Sequence, residues 1–208
     1  MDRIITVTGN AHVKKAPELA YLSLAITAQE KTRKAAQEAQ AQTMHDVLGA
    51  LDLLGVPKAA QKTTRYNVQQ AHKYDEKRHQ NVPDGFMVTQ QLTVTVDVDA
   101  AEEIVGVLGK LPVVLSVGFG LKDHDQETNA ALCLAIANAR TKAEAMARAC
   151  TCELGPVVSC EEEAHRGGGG IRMMSMSAGL EAAGGSAPEL PTGEIEISAS
   201  VTMQFVLK

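Results

Sequence analysis

Residues Phe86 to Val98 read FMVTQQLTVTVDV, and apolar and polar side chains alternate along most of this stretch. One face of a strand here carries Phe86, Val88, Leu92, Val94, Val96 and Val98, and the other carries Thr89, Gln91, Thr93, Thr95 and Asp97. A period of two residues predicts a β-strand that is buried on one face. Because a sheet with one polar face favours antiparallel pairing, the stretch predicts an antiparallel sheet covered on one side.

Patterns of the same kind predict six more strands. They cover Arg3 to Thr8, Leu22 to Ile26, Thr63 to Gln70, Val113 to Leu121, Val157 to Glu162 and Ile195 to Leu207. The strands at Thr63 and Phe86 form a predicted hairpin with a long polar tip. This tip is the charged loop from His72 to Gly85, which ends in the turn signal Pro83-Asp84-Gly85.

Three segments have the apolar spacing of helices. They are Lys31 to Leu54, Ala101 to Leu111 and Thr128 to Cys152. The predicted buried stripe of the third helix is Leu132, Ile136, Ala139, Ala143, Met146 and Cys150. Small residues on this stripe allow close approach to a sheet or to a second helix.

The order of these elements predicts an α+β fold with an antiparallel or mixed sheet, two long helices and one short helix. We expect residues 1–208 to form a single domain. In each half of the chain a long helix lies between strands and is followed by a glycine, Gly55 or Gly155. Two related halves are compatible with this order, although no residue-level repeat supports a duplication.

Composition excludes several classes of protein. The 208 residues carry a formal net charge of −5, which argues against a nucleic-acid partner, because such proteins usually present a basic face. No apolar run is long enough for a transmembrane helix, so no transmembrane segment is predicted.

Residues Met1 to Ile4 lead directly into a strand without the apolar core of a signal peptide. The chain as written predicts a cytoplasmic location; a periplasmic or envelope location is the alternative if a leader was removed.

The segment from His165 to Gly193, HRGGGGIRMMSMSAGLEAAGGSAPELPTG, has almost no residue that could build a core. It lacks the Lys-Ser/Thr pair that follows the glycines of a phosphate loop. Its composition cannot offset the ordering entropy of so long a segment, so we expect a mobile loop between two paired strands.

Soft ligands in and near this segment leave three interpretations open. Packing of the loop on a neighbour is favoured, since Met side chains adapt to irregular surfaces. Reversible oxidation to the sulfoxide is the second. The third is a Cu(I) site formed by Met173, Met174, Met176, Cys160 and His165, since copper(I) prefers thioether and thiolate ligands.

The other chemistry-bearing residues predict no active site. Cys133, Cys150, Cys152 and Cys160 lack zinc spacings, and we interpret them as buried or half-buried thiols; Cys150 and Cys152 should point in different directions. The run DHDQE, from Asp123 to Glu127, fits a solvated helix start better than a metal site. No Gly-x-Ser-x-Gly motif is present. The chain is therefore predicted to be a non-enzymatic protein without a cofactor.

The last strand predicts self-association. It is longer than the usual five or six residues, and we expect Val157 to Glu162 to cover it only in part. An uncovered edge or apolar face is a site for pairing with another chain, here through Val201, Met203, Phe205 and Leu207. The alternative is that the strand Arg3 to Thr8 completes the sheet and the protein is a monomer.

The whole chain from Ile4 to Lys208 resembles the SIMPL-domain family. The resemblance lies in ITVTGNAHVKKAPELAYLSLAITAQEKTRKAA, LGVPKAAQKTTRYNVQQ, GFMVTQQLTVTV, ALCLAIANARTKAEAMARA and the Met-rich segment before GEIEISASVTMQFVLK. Two mild departures are Ala11 after Gly9, where the family usually has glycine, and Glu18, where aspartate is commoner. The resemblance implies a homo-oligomer of poorly defined role, associated in bacteria with oxidative or envelope stress defence. Many bacterial relatives are exported to the periplasm. A metal-handling or redox-buffering role for the Met/Cys/His segment is the alternative function, and the protein partner is unknown.

Overall fold

The computed structural model describes residues 3–76, 79–163 and 189–208. Its elements in chain order are β1 (Arg3–Lys15), β2 (Leu19–Glu30), α1 (Arg33–Leu53), β3 (Gln61–Asp75), β4 (Gln80–Asp97), α2 (Val98–Leu108), β5 (Val114–Gly120), α3 (His124–Ala149), β6 (Leu154–Glu162) and β7 (Ile195–Leu207), with a 3₁₀ turn at Lys58–Ala60. They form two antiparallel sheets with helices, which confirms the predicted α+β class.

The described residues divide into two compact units that interleave along the chain. Unit 1 contains residues 3–17, 121–163 and 193–208, and unit 2 contains residues 18–76, 79–120 and 189–192. The units therefore do not correspond to the first and second halves of the sequence, because β1 belongs with the C-terminal elements. The single domain over residues 1–208 stays a prediction.

Unit 1 is built on a three-stranded sheet in the order β1-β7-β6. β1 pairs with β7 along all 13 residues, from Arg3 opposite Leu207 to Lys15 opposite Ile195. The alternation predicted for β7 is confirmed, because every second residue from Ile195 to Phe205 is buried. β1 is longer than the predicted strand Arg3 to Thr8, since its partner β7 supplies a ladder along its whole length.

Helix α3 packs on this sheet through alanines. Its buried residues are Ala131, Ala135, Ala139, Ala143 and Ala147. The predicted stripe was therefore wrong in part: Ile136 and Met146 are 39% and 47% exposed, and Cys150 is exposed. The reason is close approach, since a Cβ on Gly9 of β1 would overlap the Ala135 carbonyl oxygen and lie 2.7 Å from the Ala139 Cβ. Only the smallest side chains fit at this contact.

Unit 2 is built on a four-stranded sheet in the order β3-β4-β2-β5. The core lies between this sheet and the helices α1 and α2. Its largest fully buried members are Leu22, Leu24, Ile26, Val47, Leu51, Val88, Val94, Val105 and Leu108. The face of β4 predicted to be apolar carries Val88, Leu92 and Val94 into this core, which confirms the prediction. Val98 begins α2 instead of ending the strand.

The β3–β4 hairpin is longer than predicted, and its loop is shorter. β3 continues to Asp75 and β4 begins at Gln80, so most of the predicted loop from His72 to Gly85 is paired strand. The register shifts between Gln70 and His72, opposite Gly85, which has a φ of +91°. Glycine adopts this conformation at little cost, and a bulge of this kind lets the pairing continue beyond a bend.

An ion pair lies at the base of the hairpin. Lys31 Nζ is 2.6 Å from Asp84 Oδ1, and Gln29 Nε2 donates to the Asp84 carbonyl oxygen at 3.0 Å. The hydrogen bond from Lys31 lowers the pKa of Asp84, and the same bond raises the pKa of Lys31. Both side chains are solvated, so the pair positions the bulge more than it stabilises the fold.

Within the described residues, no helix is long and apolar enough to span a membrane.

Candidate functional site

Acidic and histidine side chains do not converge on a metal centre in the described part of the chain, where no group of three or more His, Cys, Asp or Glu residues has metal-binding geometry. The run from Asp123 to Glu127 starts α3. Asp123 accepts a hydrogen bond from the Gln126 amide at 2.9 Å, and Asp125 and Glu127 lie in the first turn. This arrangement confirms the interpretation of the run as a helix start.

Only one of the five candidate copper ligands can be placed. Cys160 is exposed on β6. Met173, Met174, Met176 and His165 lie outside the described residues, as does most of the predicted mobile loop from His165 to Gly193. The flanking strands β6 and β7 pair with each other, as predicted. Copper handling and redox buffering by these residues stay predictions.

The interpretation of the cysteines as buried or half-buried thiols was wrong for three of the four and is confirmed for Cys152. Cys133, Cys150 and Cys160 are exposed, and Cys152 is half-buried. Cys133 lies on an outer face of α3, Cys150 at the end of that helix and Cys160 on the edge strand β6.

The residues predicted for self-association lie in the core of unit 1. Val201, Met203 and Phe205 are at most 4% exposed, and Leu207 packs against the same cluster. β1 pairs with β7 along its whole length on one side, whereas β6 pairs only with residues 201–207 on the other. The expectation that β6 covers β7 only in part is thus confirmed. All four residues named for self-association lie in the part that β6 does pair, so association through their side chains would require them to leave this core.

The outer edge of β1 is covered by side chains of α3. Lys142 Nζ donates to the Thr8 carbonyl oxygen at 2.8 Å, and the Asn10 amide donates to Asn138 Oδ1 at 3.3 Å. These backbone groups belong to the row that faces away from β7. Their hydrogen-bonding capacity is used within unit 1, so another strand would have to displace α3 side chains to pair here.

The outer edges of β6 and β3 carry other features that hinder pairing. β6 contains Pro156, two register shifts and the acidic pair Glu161 and Glu162. β3 has a register shift between Thr63 and Arg65, and Lys62 stands beside it. Charges, proline and bulges are the usual means by which natural edge strands avoid pairing with other chains.

The outer edge of β5 has none of these features. Its sequence VLSVGFG contains no charge and no proline, and its ladder with β2 is regular over all seven residues. Val114 is 72% exposed. β5 is the terminal strand of its sheet, and within the described residues no strand pairs with its outer side. This edge is the candidate functional site.

The direction of the β5 backbone groups follows from the neighbouring ladder. The Val98 amide donates to the Glu18 carbonyl oxygen at 3.2 Å, so even-numbered residues of β2 bond towards β4 and odd-numbered ones towards β5. Their partners in β5 are Val114, Ser116 and Gly118. The N–H and C=O groups of Leu115, Val117 and Phe119 therefore point away from the sheet.

Side chains at β5 are apolar on the helix side, and the opposite face carries Val114, Ser116 and Gly118. Leu115 and Val117 pack partly into the core of unit 2. Phe119 lines a cavity of about 250 Å³ together with Val98, Asp99, Glu102, Leu190 and Thr192. The Leu190 amide donates to Glu102 Oε1 at 3.0 Å, which holds the start of the last described segment against α2.

A family model matches almost the whole chain. It is the model of SIMPL, described as "Protein of unknown function (DUF541)", and it covers residues 5–205. The chain belongs to the SIMPL family. The resemblance inferred from the sequence is thereby confirmed, and the SIMPL description assigns no activity.

Two curated proteins are similar to this SIMPL chain. The 26 kDa periplasmic immunogenic protein of Brucella melitensis biotype 1 is 30% identical over 222 aligned positions, covering 98% of this chain and 84% of that protein. The protein of the same name from Brucella abortus (strain S19) matches with the same identity and coverage. Neither name describes an enzyme.

Proposed function

We propose that this SIMPL chain is a non-enzymatic protein that self-associates through the open edge of β5. We place it in the periplasm, in support of oxidative or envelope stress defence. The proposal of self-association rests on the outer edge of β5, which is uncharged and regular and pairs with no strand among the described residues. The names of the Brucella relatives, periplasmic immunogenic proteins, support the periplasm in place of the cytoplasmic location predicted from the sequence. The stress role rests on the family resemblance.

A second copy of β5 suits this edge. Two copies that pair antiparallel about a two-fold axis present the same surface to each other, so the pairing gives a closed dimer. With the axis at Val117, Leu115 lies opposite the partner subunit's Phe119, and Ser116 lies opposite the partner subunit's Gly118. An aliphatic–aromatic pair across strands stabilises a sheet by about 0.2 to 1 kcal/mol. No charged residue of β5 opposes a like charge, because the strand has none.

The substitution Val114→Lys tests this proposal. Val114 is exposed, so a lysine leaves the subunit folded while it places a charge and a flexible side chain at the edge. We expect the wild type to show a dimer or larger mass by light scattering at micromolar concentration. We expect Val114→Lys to weaken association about tenfold or more, which corresponds to 1.4 kcal/mol or more.

Val158→Lys is the matched control. Val158 is 52% exposed on the edge strand β6, which the proposal does not use. We expect this variant to associate like the wild type, and circular dichroism should show that both variants are folded. A wild-type monomer mass that persists on concentration contradicts self-association. Equal association of the wild type and both variants contradicts the use of β5.

A further inference from the structure

The turn that follows α3 holds two thiols in a fixed backbone arrangement. The Thr151 amide donates to the Arg148 carbonyl oxygen at 3.0 Å, and the Cys152 amide donates to the Ala147 carbonyl oxygen at 2.9 Å. These two bonds form the Schellman arrangement that ends a helix. Cys150 and Cys152 occupy the positions on either side of its left-handed residue.

Thr151 is the left-handed residue, with a φ of +58°. Glycine usually occupies this position, because a side chain with a branched Cβ is strained there. The chain is also fixed beyond the turn, since Glu153 and Lys208 exchange two backbone hydrogen bonds of 2.9 Å. Helical geometry of either hand separates Cα atoms two residues apart by about 5.5 Å. Disulfides join Cα atoms in this range of separations.

One thiol of the pair contacts the backbone of the other residue, and the pair is accessible. Cys152 Sγ lies 3.4 Å from the Cys150 carbonyl oxygen. The divergence of the two side chains expected from the sequence stays a prediction. Cys150 is exposed and Cys152 is half-buried. An external reagent therefore reaches Cys150 first.

We propose that Cys150 and Cys152 form a thiol–disulfide exchange site whose oxidant is a small-molecule disulfide. The Cys150 thiolate attacks one sulfur of the disulfide, which forms a mixed disulfide and releases one small thiolate. The Cys152 thiolate then attacks Cys150 Sγ, which forms the Cys150–Cys152 bond and releases the second small thiolate. Two protein thiols lose two electrons and two protons, and the external disulfide becomes two thiols.

The surroundings favour reversible exchange over metal binding. The pair lies at the C-terminal end of α3, where an exposed disulfide would be open to attack by small thiols. No third metal ligand joins the two thiols among the described residues. An exposed disulfide in a small ring is more easily reduced than a structural one. The site therefore opens again when the small thiol is in excess.

The test uses the full chain with Cys133→Ser and Cys160→Ser, which removes the two other exposed thiols. This protein is incubated with oxidised glutathione, and its free thiols are then alkylated. The mass of the peptide containing Cys150 and Cys152 is measured by mass spectrometry. We expect an internal disulfide, marked by the loss of two hydrogen atoms, to exceed glutathione adducts about tenfold. The ratio of internal disulfide to dithiol should rise in proportion to the oxidised glutathione concentration divided by the square of the reduced one.

Two further variants make the result specific. In the same background, Cys150→Ser and Cys152→Ser each leave one thiol, and we expect glutathione adducts to accumulate on it. Because Cys150 is the more exposed, Cys152→Ser should form its adduct faster than Cys150→Ser. The proposal is overturned if the pair accumulates adducts as the single-thiol variants do. It is also overturned if the pair stays reduced while an unfolded peptide of the same sequence is oxidised.

Discussion

Gly9→Ala should destabilise unit 1 by about 3 kcal/mol or more. The added methyl group overlaps the Ala135 carbonyl oxygen and lies 2.7 Å from the Ala139 Cβ. Both atoms belong to α3, so the helix as a whole must move away from the sheet. Overpacking of a closely packed contact typically costs 1 to 3 kcal/mol, and about 3 or more where backbone must move. Urea unfolding followed by far-ultraviolet circular dichroism measures the loss.

Gly49→Ala is the control for this substitution. Gly49 lies in α1, and a Cβ at this position meets no atom within 4 Å. Alanine there should raise stability by about 0.5 to 1 kcal/mol, because glycine is the poorer helix former. A Gly9→Ala protein as stable as the wild type would show that α3 does not approach β1 as closely as described.

Phe205→Ala should cost about 3 to 5 kcal/mol, which is typical of a buried phenylalanine that leaves a cavity. Phe205 is 1% exposed and is the largest of the fully buried side chains among the described residues. Tyr21, Tyr66 and Tyr74 all lie in unit 2, so tyrosine fluorescence follows that unit while circular dichroism follows both. We expect the loss to appear in the circular dichroism transition.

Val158→Ala serves as the comparison in the same unit. Its side chain is half exposed, so truncation should change stability by no more than about 0.5 kcal/mol. This pair of substitutions also separates two roles of Phe205. If Phe205→Ala retains full stability but loses association, Phe205 belongs to an interface, as the sequence first suggested, and the described core is wrong.

Strands with strict alternation could be predicted from the sequence, because one buried face fixes both type and register. β7 and the inner half of β4 are such cases. The buried face of α3 could not be predicted, since apolar spacing favoured Ile136 and Met146 over Ala131 and Ala135. The buried face is decided by the contact of α3 with Gly9, which has no side chain. Gly9 and α3 are far apart in the sequence, so the pattern within the helix does not reveal this contact. The strand pairing of the β3–β4 hairpin was hidden by its charged residues, which stay solvated on a two-stranded ribbon.

The candidate site could not be predicted because edge status depends on strand order. β7 has the longest uninterrupted apolar alternation, yet β1 pairs along one whole side of it and β6 pairs with residues 201–207 on the other. β5 is short, and its seven residues give no sign of lying at the end of a sheet. The sequence of β5 shows that it has no charge and no proline. This feature distinguishes β5 only after the structure shows that the outer edges of β1, β6 and β3 are protected.

Amide hydrogen exchange along β5 at low and high micromolar concentration tests the central claim most directly. Leu115, Val117 and Phe119 direct their amides away from β2, whereas the amides of Ser116 and Gly118 are already bonded within the sheet. We predict that exchange of the first three slows as concentration rises, while Ser116, Gly118 and the amides of β6 keep their rates. Exchange of Leu115, Val117 and Phe119 that is independent of concentration, in a sample whose mass shows association, would contradict the account.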